Sequence, residues 1–414
     1  MTKHIIEFFR ETSVNASHLY VQNKESHLNT IKPRDPYRLF FPLGILLGLA
    51  GVIVWPLLYW GVIQGYWGLS HAYLQADGFL FCFIAGFLLT AVPRFTGTSV
   101  PEISVQWVLA ITVIAGAILM ELQAYEAGQT AFFIAYLILA SLAIQRLLRR
   151  EGALPATFSL VGLGIITGLI ASAISAASAF GLLGGGWPLA GKRMLTEGMT
   201  LMLVLGVGGF LGPRLLGLDR PPIVQIEGTE PSKRLMDRAP SYVYLIAALI
   251  IFISLLQQYV AGIEWMSFVR ALIASIILGV TVEPWKFPKV RTTLSWCVWT
   301  SNLLLFVSLW MIALFPKYSV DFLHIMFIGS FTLLILAVGM RVSLSHGGHG
   351  LSTEKKNWPL RIALIAGCIA MLARVGAPFS PQSYAAHLMY AALLWLIGLG
   401  IWGWRLIKLI RTSK

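Results

Sequence analysis

Apolar residues in this chain come in long unbroken runs, with little alternation and few polar interruptions. About twenty such residues span the hydrocarbon core of a bilayer as an α-helix. Twelve segments reach that length, at roughly 39–62, 71–93, 103–120, 129–146, 156–180, 194–213, 241–261, 267–283, 292–315, 321–341, 359–375 and 384–404. The pattern predicts an all-α polytopic membrane protein of about twelve transmembrane helices. A transmembrane β-barrel is excluded, because its strands would alternate apolar and polar positions. The connections are short; the longest, 214–240, is rich in Pro, Arg and Lys. The predicted organisation is an N-terminal tail, 1–38, and one membrane domain, 39–414.

Composition sharpens this picture. Of 414 residues 57% are hydrophobic and 12% charged, with a mean hydropathy of +0.76. A soluble domain carries about 25% charged residues. A soluble enzyme, a disordered chain and a nucleic-acid-binding protein are therefore excluded as the main reading. The net charge of +13 then becomes a topology signal, since basic residues gather in cytoplasmic loops. With the N-terminus inside, the tail, the even-numbered loops and the C-terminus hold 26 of the 31 Lys and Arg residues. The outside loops hold the other 5: Lys192, Arg193, Arg270, Lys317 and Arg374. This bias predicts that both termini are cytoplasmic. The charged N-terminus shows no cleavable signal peptide. Cys82, Cys297 and Cys368 lie in apolar runs and form no paired motif.

An internal repeat emerges between the second and sixth segments. Gly78–Arg94 and Gly198–Arg214 each place a second Gly eight residues after the first and end in Pro-Arg. The tenth segment ends in Gly339-Met340-Arg341, so the three arginines are spaced 120 and 127 residues apart. This predicts a possible three-fold repeat of four-helix units in which helices 2, 6 and 10 are equivalent.

Candidate chemistry rests on histidine. His4, His18 and His27 fall in the tail and read as solvated residues. His71, His324 and His387 start helices 2, 10 and 12 at one depth, near the outer face. Neutral imidazole is a frequent metal ligand, and three converging histidines could hold haem iron or copper. The plainer alternative is interfacial histidines that simply reach water. His71, Gln75, Gly78, Cys82 and Gly86 share one helical stripe, thin enough for a flat macrocycle or another helix to approach. Asp77 points elsewhere. It and Glu197 are the acids best placed inside spans, to pair with Lys192, Arg193 or Arg374 or to relay protons. Met194, Met199 and Met202 read as core. At the opposite face, His346 and His349 flank Gly347-Gly348, either as a second metal or anion site or as a Gly-rich turn.

Several stretches resemble the NnrS family of bacterial membrane proteins. Asp35-Pro36-Tyr37-Arg38-Leu39-Phe40-Phe41 resembles that family's entry to helix 1. His71 with Ala85-Gly86-Phe87-Leu88-Leu89-Thr90-Ala91-Val92-Pro93 resembles its helix 2 motif. His324, Gly329, Arg341, Val342, Ser343, Leu344 and His346 resemble its helix 10 and the loop that follows, and Arg374 its helix 11 arginine. One departure stands out: many members carry His-x-His-Glu at the start of helix 2, where this chain reads His71-Ala72-Tyr73-Leu74.

The resemblance implies a multi-pass protein of the bacterial inner membrane, associated with haem and copper and with the response to nitric oxide and nitrosative stress, often alongside denitrification. On that basis His71 and His324 are expected as haem ligands or their neighbours, with His387 a third candidate. Gln75, Tyr73 and Arg374 are expected around the haem, Arg374 on a propionate. The metal candidates are His71, His324, His346 and His349. The expected partners are the lipid bilayer, haem and nitric oxide, with copper as a second cofactor. Whether the protein catalyses a reaction stays open. The competing class is a secondary transporter of a metal, haem or small metabolite, which twelve spans and a repeat also suit.

Overall fold

The computed structural model describes residues 35–412 apart from Tyr66, Ala153, 219–238 and 349–356. Among the described residues there are helices and no strands. Twelve helical rods follow in order: α1 Tyr37–Tyr59, α2 Gly68–Thr96, α3 Ile103–Glu121, α4 Tyr125–Leu148, α5 Phe158–Ala179, α6 Trp187–Leu215, α7 Ser241–Tyr259, α8 Met266–Thr281, α9 Thr293–Leu314, α10 Pro316–His346, α11 Trp358–Phe379 and α12 Pro381–Thr412. All except α8 are long and apolar enough to cross a membrane. At about 1.5 Å per residue, the 16 residues of α8 fall short of a full bilayer core. The expected eighth span is thus a shorter apolar helix. The protein is a multi-pass membrane protein, and the aliphatic and aromatic side chains of Trp107, Ile111, Ile118, Tyr242, Ile246 and Ile253 stay exposed on its outer helices, as lipid contact requires.

Two rods begin five or more residues before their apolar runs suggest. The predicted sixth span starts at 194, yet α6 starts at Trp187 and carries Lys192 and Arg193 inside the helix. Arg193 is tolerated there because Glu197, one turn on, takes its guanidinium at 2.9 Å. Likewise α10 runs from 316 to 346, beyond the expected 321–341.

Helices α2, α6 and α10 are the inner ones: their apolar stretches are 89%, 72% and 72% buried, against 28–56% for the other spans. Each is interrupted by a π-helical segment, at Leu74–Leu80, Met194–Met199 and Ile325–Thr332. Such interruptions are rare and concentrate at functional sites. In all three, a glycine stands four residues after the segment begins: Gly78, Gly198 and Gly329. A Cβ on each would reach the preceding helix of its unit, Leu47 of α1, Thr167 of α5 and Leu304 of α9, although Gly198 lies closer to Leu255 of α7 and Gly329 closer to Met371 of α11.

The repeat is therefore structural. Its third copy is hard to read in sequence because Gly329 precedes Arg341 by 12 residues, where Gly78 and Gly198 precede Arg94 and Arg214 by 16. About one turn is missing. Packing repeats as well: α1 on α2, α5 on α6 and α9 on α10 within units, and α4 on α5, α8 on α9 and α12 on α1 between them, the last closing a ring.

Candidate functional site

The His71 stripe meets another helix. His71, Gln75, Gly78, Cys82 and Gly86 all lie against α1. Small residues make this close crossing possible. A Cβ on Gly86 would meet the Phe41 ring at 2.8 Å, one on Gly44 the Phe83 ring at 2.9 Å, and one on Gly48 the Phe79 ring at 2.7 Å. Of the two occupants expected for this stripe, the helix is the one present. The closeness also exposes two α1 carbonyls to α2 side chains. Gln75 Nε2 donates to Gly48 at 2.9 Å, and His71 Nδ1 donates to Gly51 at 2.8 Å.

All three outer histidines share that device. His324 Nδ1 donates to the Val320 carbonyl at 2.7 Å, and His387 Nδ1 to the Ala373 carbonyl at 3.1 Å. A carbonyl oxygen only accepts, so the proton in each neutral imidazole sits on Nδ1 and Nε2 keeps its lone pair. A hydrogen bond of this kind from the other ring nitrogen fixes the tautomer and ring orientation of metal-binding histidines. Trp55 packs edge-on against the His71 ring at 5.4 Å, and Phe327 against the His324 ring at 6.0 Å.

His71 and His324 lie within electrostatic reach of each other and of Arg374. His387 belongs to the same end, beside Gly376. Arg374 is itself engaged, its Nη1 donating to Asp321 Oδ1 at 2.7 Å. Asp321 escaped the sequence reading, although it stands one turn before His324. Tyr73 is half-buried near Asp77 and Tyr125. Among the described residues, no three His, Cys, Asp or Glu side chains gather to hold a metal ion.

At the other end, stretches far apart in sequence converge. His346 Nδ1 lies 3.5 Å from Asp35 Oδ2, and its ring meets Tyr37 edge-on at 5.9 Å. The backbone N–H of Tyr37 donates to Thr90 Oγ1 at 3.1 Å. Burial works to raise the Asp35 pKa, but His346, Arg94 and Arg38 outweigh it and hold the carboxyl below its ordinary value. His346 thus faces a carboxylate of the α1 entry. His349 lies outside the described residues, and Gly348 takes the left-handed φ of 70° that a turn needs.

The interior acids diverge. Glu197 is paired: Arg193 at 2.9 Å, Arg270 at 3.4 Å and the Tyr259 hydroxyl at 3.2 Å. Arg270 is buried in α8, although it was expected in an outside loop, and also reaches Gln258 at 2.7 Å and Ser254 at 3.3 Å. Asp77 is buried with no hydrogen-bond partner on either oxygen. Met194, Met199 and Met202 are core, as expected.

The NnrS protein family model matches residues 33–413. The chain belongs to the NnrS family. The match takes in the α1 entry, the α2 motif, the end of α10 and Arg374, so all four lie within the matched region of this NnrS chain. No curated protein matches the NnrS chain.

Proposed function

We propose that the protein is a haem-binding protein of the bacterial inner membrane that takes part in the response and resistance to nitric oxide. NnrS membership supports the association with nitric oxide. The observation that carries the haem reading is two imidazoles within electrostatic reach of each other, His71 on α2 and His324 on α10, each with Nδ1 tied to a backbone carbonyl. That donor set suits a haem iron, which takes one or two imidazoles. It suits copper less well, because the described residues assemble no larger ligand cluster.

In this reading His71 and His324 would hold the iron through Nε2, and His387 would offer a third imidazole at the same end. Haem iron supplies the capacity to bind a diatomic such as nitric oxide. The chain's own residues orient it: Gly51 and Val320 hold the rings, and Asp321 holds Arg374 in place beside them. The Arg374 nitrogens left over by Asp321 are available to a propionate. The test is the absorption spectrum and haem content of purified His71→Ala and His324→Ala variants. Loss of the Soret band, or a shift in it, is expected in each; unchanged spectra and content in both would overturn the proposal.

One observation favours a second reading, secondary transport. Transporters built from repeats place substrate sites where helices are interrupted, and Asp77 and Glu197 sit in the π segments of α2 and α6. Solute or proton flux in proteoliposomes without haem would select that reading.

A further inference from the structure

The π segments of α2 and α6 are copies of one design with different charge balance. The residue just before the segment is Tyr73 in α2 and Arg193 in α6; the fourth residue of the segment is Asp77 in α2 and Glu197 in α6. In α6 the pair forms an i,i+4 ion bridge, and Arg270 from α8 and Tyr259 from α7 complete it. In α2 the cation is replaced by a phenol. Asp77 is 1% exposed, and no donor meets full hydrogen-bond geometry at either of its oxygens.

The groups that face Asp77 are few. Tyr73 stands on its own helix, Tyr136 comes from α4, and Lys192 comes from α6 as a cation within electrostatic reach. The Tyr136 hydroxyl is also buried without a hydrogen-bond partner. It faces Asp77 but does not meet hydrogen-bond geometry. No ion pair joins Lys192 to Asp77 among the described residues.

A bare carboxylate without a partner in an apolar interior costs many kcal/mol, and the group neutralises instead. The simplest neutralising guest is a proton. We propose that Asp77 is a proton-binding site in the membrane domain, with its bound proton directed to Tyr136. Glu197, matched to it by the repeat, is the permanently compensated counterpart. The site lies six residues beyond His71, about 9 Å along the helix at 1.5 Å per residue. It does not depend on the haem reading, because none of its groups is a haem candidate except Tyr73 at its edge.

The balance is simple: a proton from bulk water adds to Asp77 and returns to bulk water, with no bond made or broken elsewhere. The experiment uses full-length protein labelled at the aspartate side-chain carbonyl with carbon-13 and read by infrared spectroscopy. Asp77 is one of only five aspartates, with Asp35, Asp219, Asp237 and Asp321. A protonated-carboxyl band that carries the isotope shift and responds to D2O is expected at neutral pH. It should vanish in Asp77→Asn and survive in Glu197→Gln. In Asp77→Glu the acid remains but the labelled band disappears, which guards against a misfolded Asn variant. Absence of the labelled band at neutral pH, its persistence in both Asp77 variants, or an ionised Asp77 signal that moves only with added sodium would overturn the proposal.

Discussion

The imidazole of His71 donates through Nδ1 to the carbonyl oxygen of Gly51 at 2.8 Å, across the tight crossing of α1 and α2. A side chain at position 51 would push the helices apart, because its Cβ would lie 2.7 Å from Leu74 Cβ and 2.8 Å from Gln75 Nε2. Gly51→Ala should therefore destabilise the protein by about 1–3 kcal/mol through overpacking. On the proposed haem reading it should also lower haem content, since His71 loses its anchor. Gly400 on α12 has open space around it, so Gly400→Ala should be neutral or stabilising by up to about 1 kcal/mol. Thermal unfolding in detergent checks both, and equal midpoints for the two variants would refute the packing argument.

Glu197 holds together three helices. Removing its charge leaves Arg193 and Arg270 facing each other, with Arg270 fully buried. Breaking one side of a buried ion pair costs about 3–5 kcal/mol. Glu197→Ala should thus reduce folded yield sharply, and the double variant Glu197→Ala/Arg270→Met should recover part of it. A thermal melt in which the double variant is the worse of the two would count against the pairing.

Asp35 and His346 give an acid-side signature. The folded Asp35 carboxyl lies below its reference value of 3.8, so the unfolded chain binds this proton more readily. Its contribution is present above that reference value and is lost as pH falls through the lower folded value. Asp35→Asn should lower stability at neutral pH by up to about 1 kcal/mol, and the gap to the native protein should close in strong acid. Denaturant midpoints measured across pH would expose a gap that stays constant.

Topology follows from the charge count. Residues 146–150 should be reachable by membrane-impermeant thiol reagents only from the cytoplasmic side, and Glu126 only from outside, when each is changed to Cys. The 26-to-5 distribution of basic residues is the reason. The reverse labelling pattern would invert the whole assignment.

The spans were legible because apolar length is a direct demand of the bilayer. The start of α6 was not, because Lys192 and Arg193 read as loop until Glu197 is seen to take the Arg193 guanidinium. Arg270 misled for the same reason: its partners Glu197, Gln258 and Ser254 lie on other helices. The His71 stripe was readable by helical spacing, but whether it faced a macrocycle or a helix was not. Gly44, Gly48 and Gly51 carry that answer on α1, spaced to form one narrow face. The repeat was half visible, since a deleted turn hid its third copy. The meeting of Asp35 with His346 joins positions 311 residues apart, which no local pattern encodes.

The two interior acids meet different surroundings. Glu197 finds Arg193, Tyr259 and Arg270 within α6, α7 and α8, and Asp77 faces Tyr136 of α4. In the third unit the same position is Ile328. Three copies of one interrupted helix thus carry an unpaired acid, a paired acid and an aliphatic side chain at one position. The glycine that follows stays the same in all three, so the chemistry of the interior changes from copy to copy while the residue beside it does not.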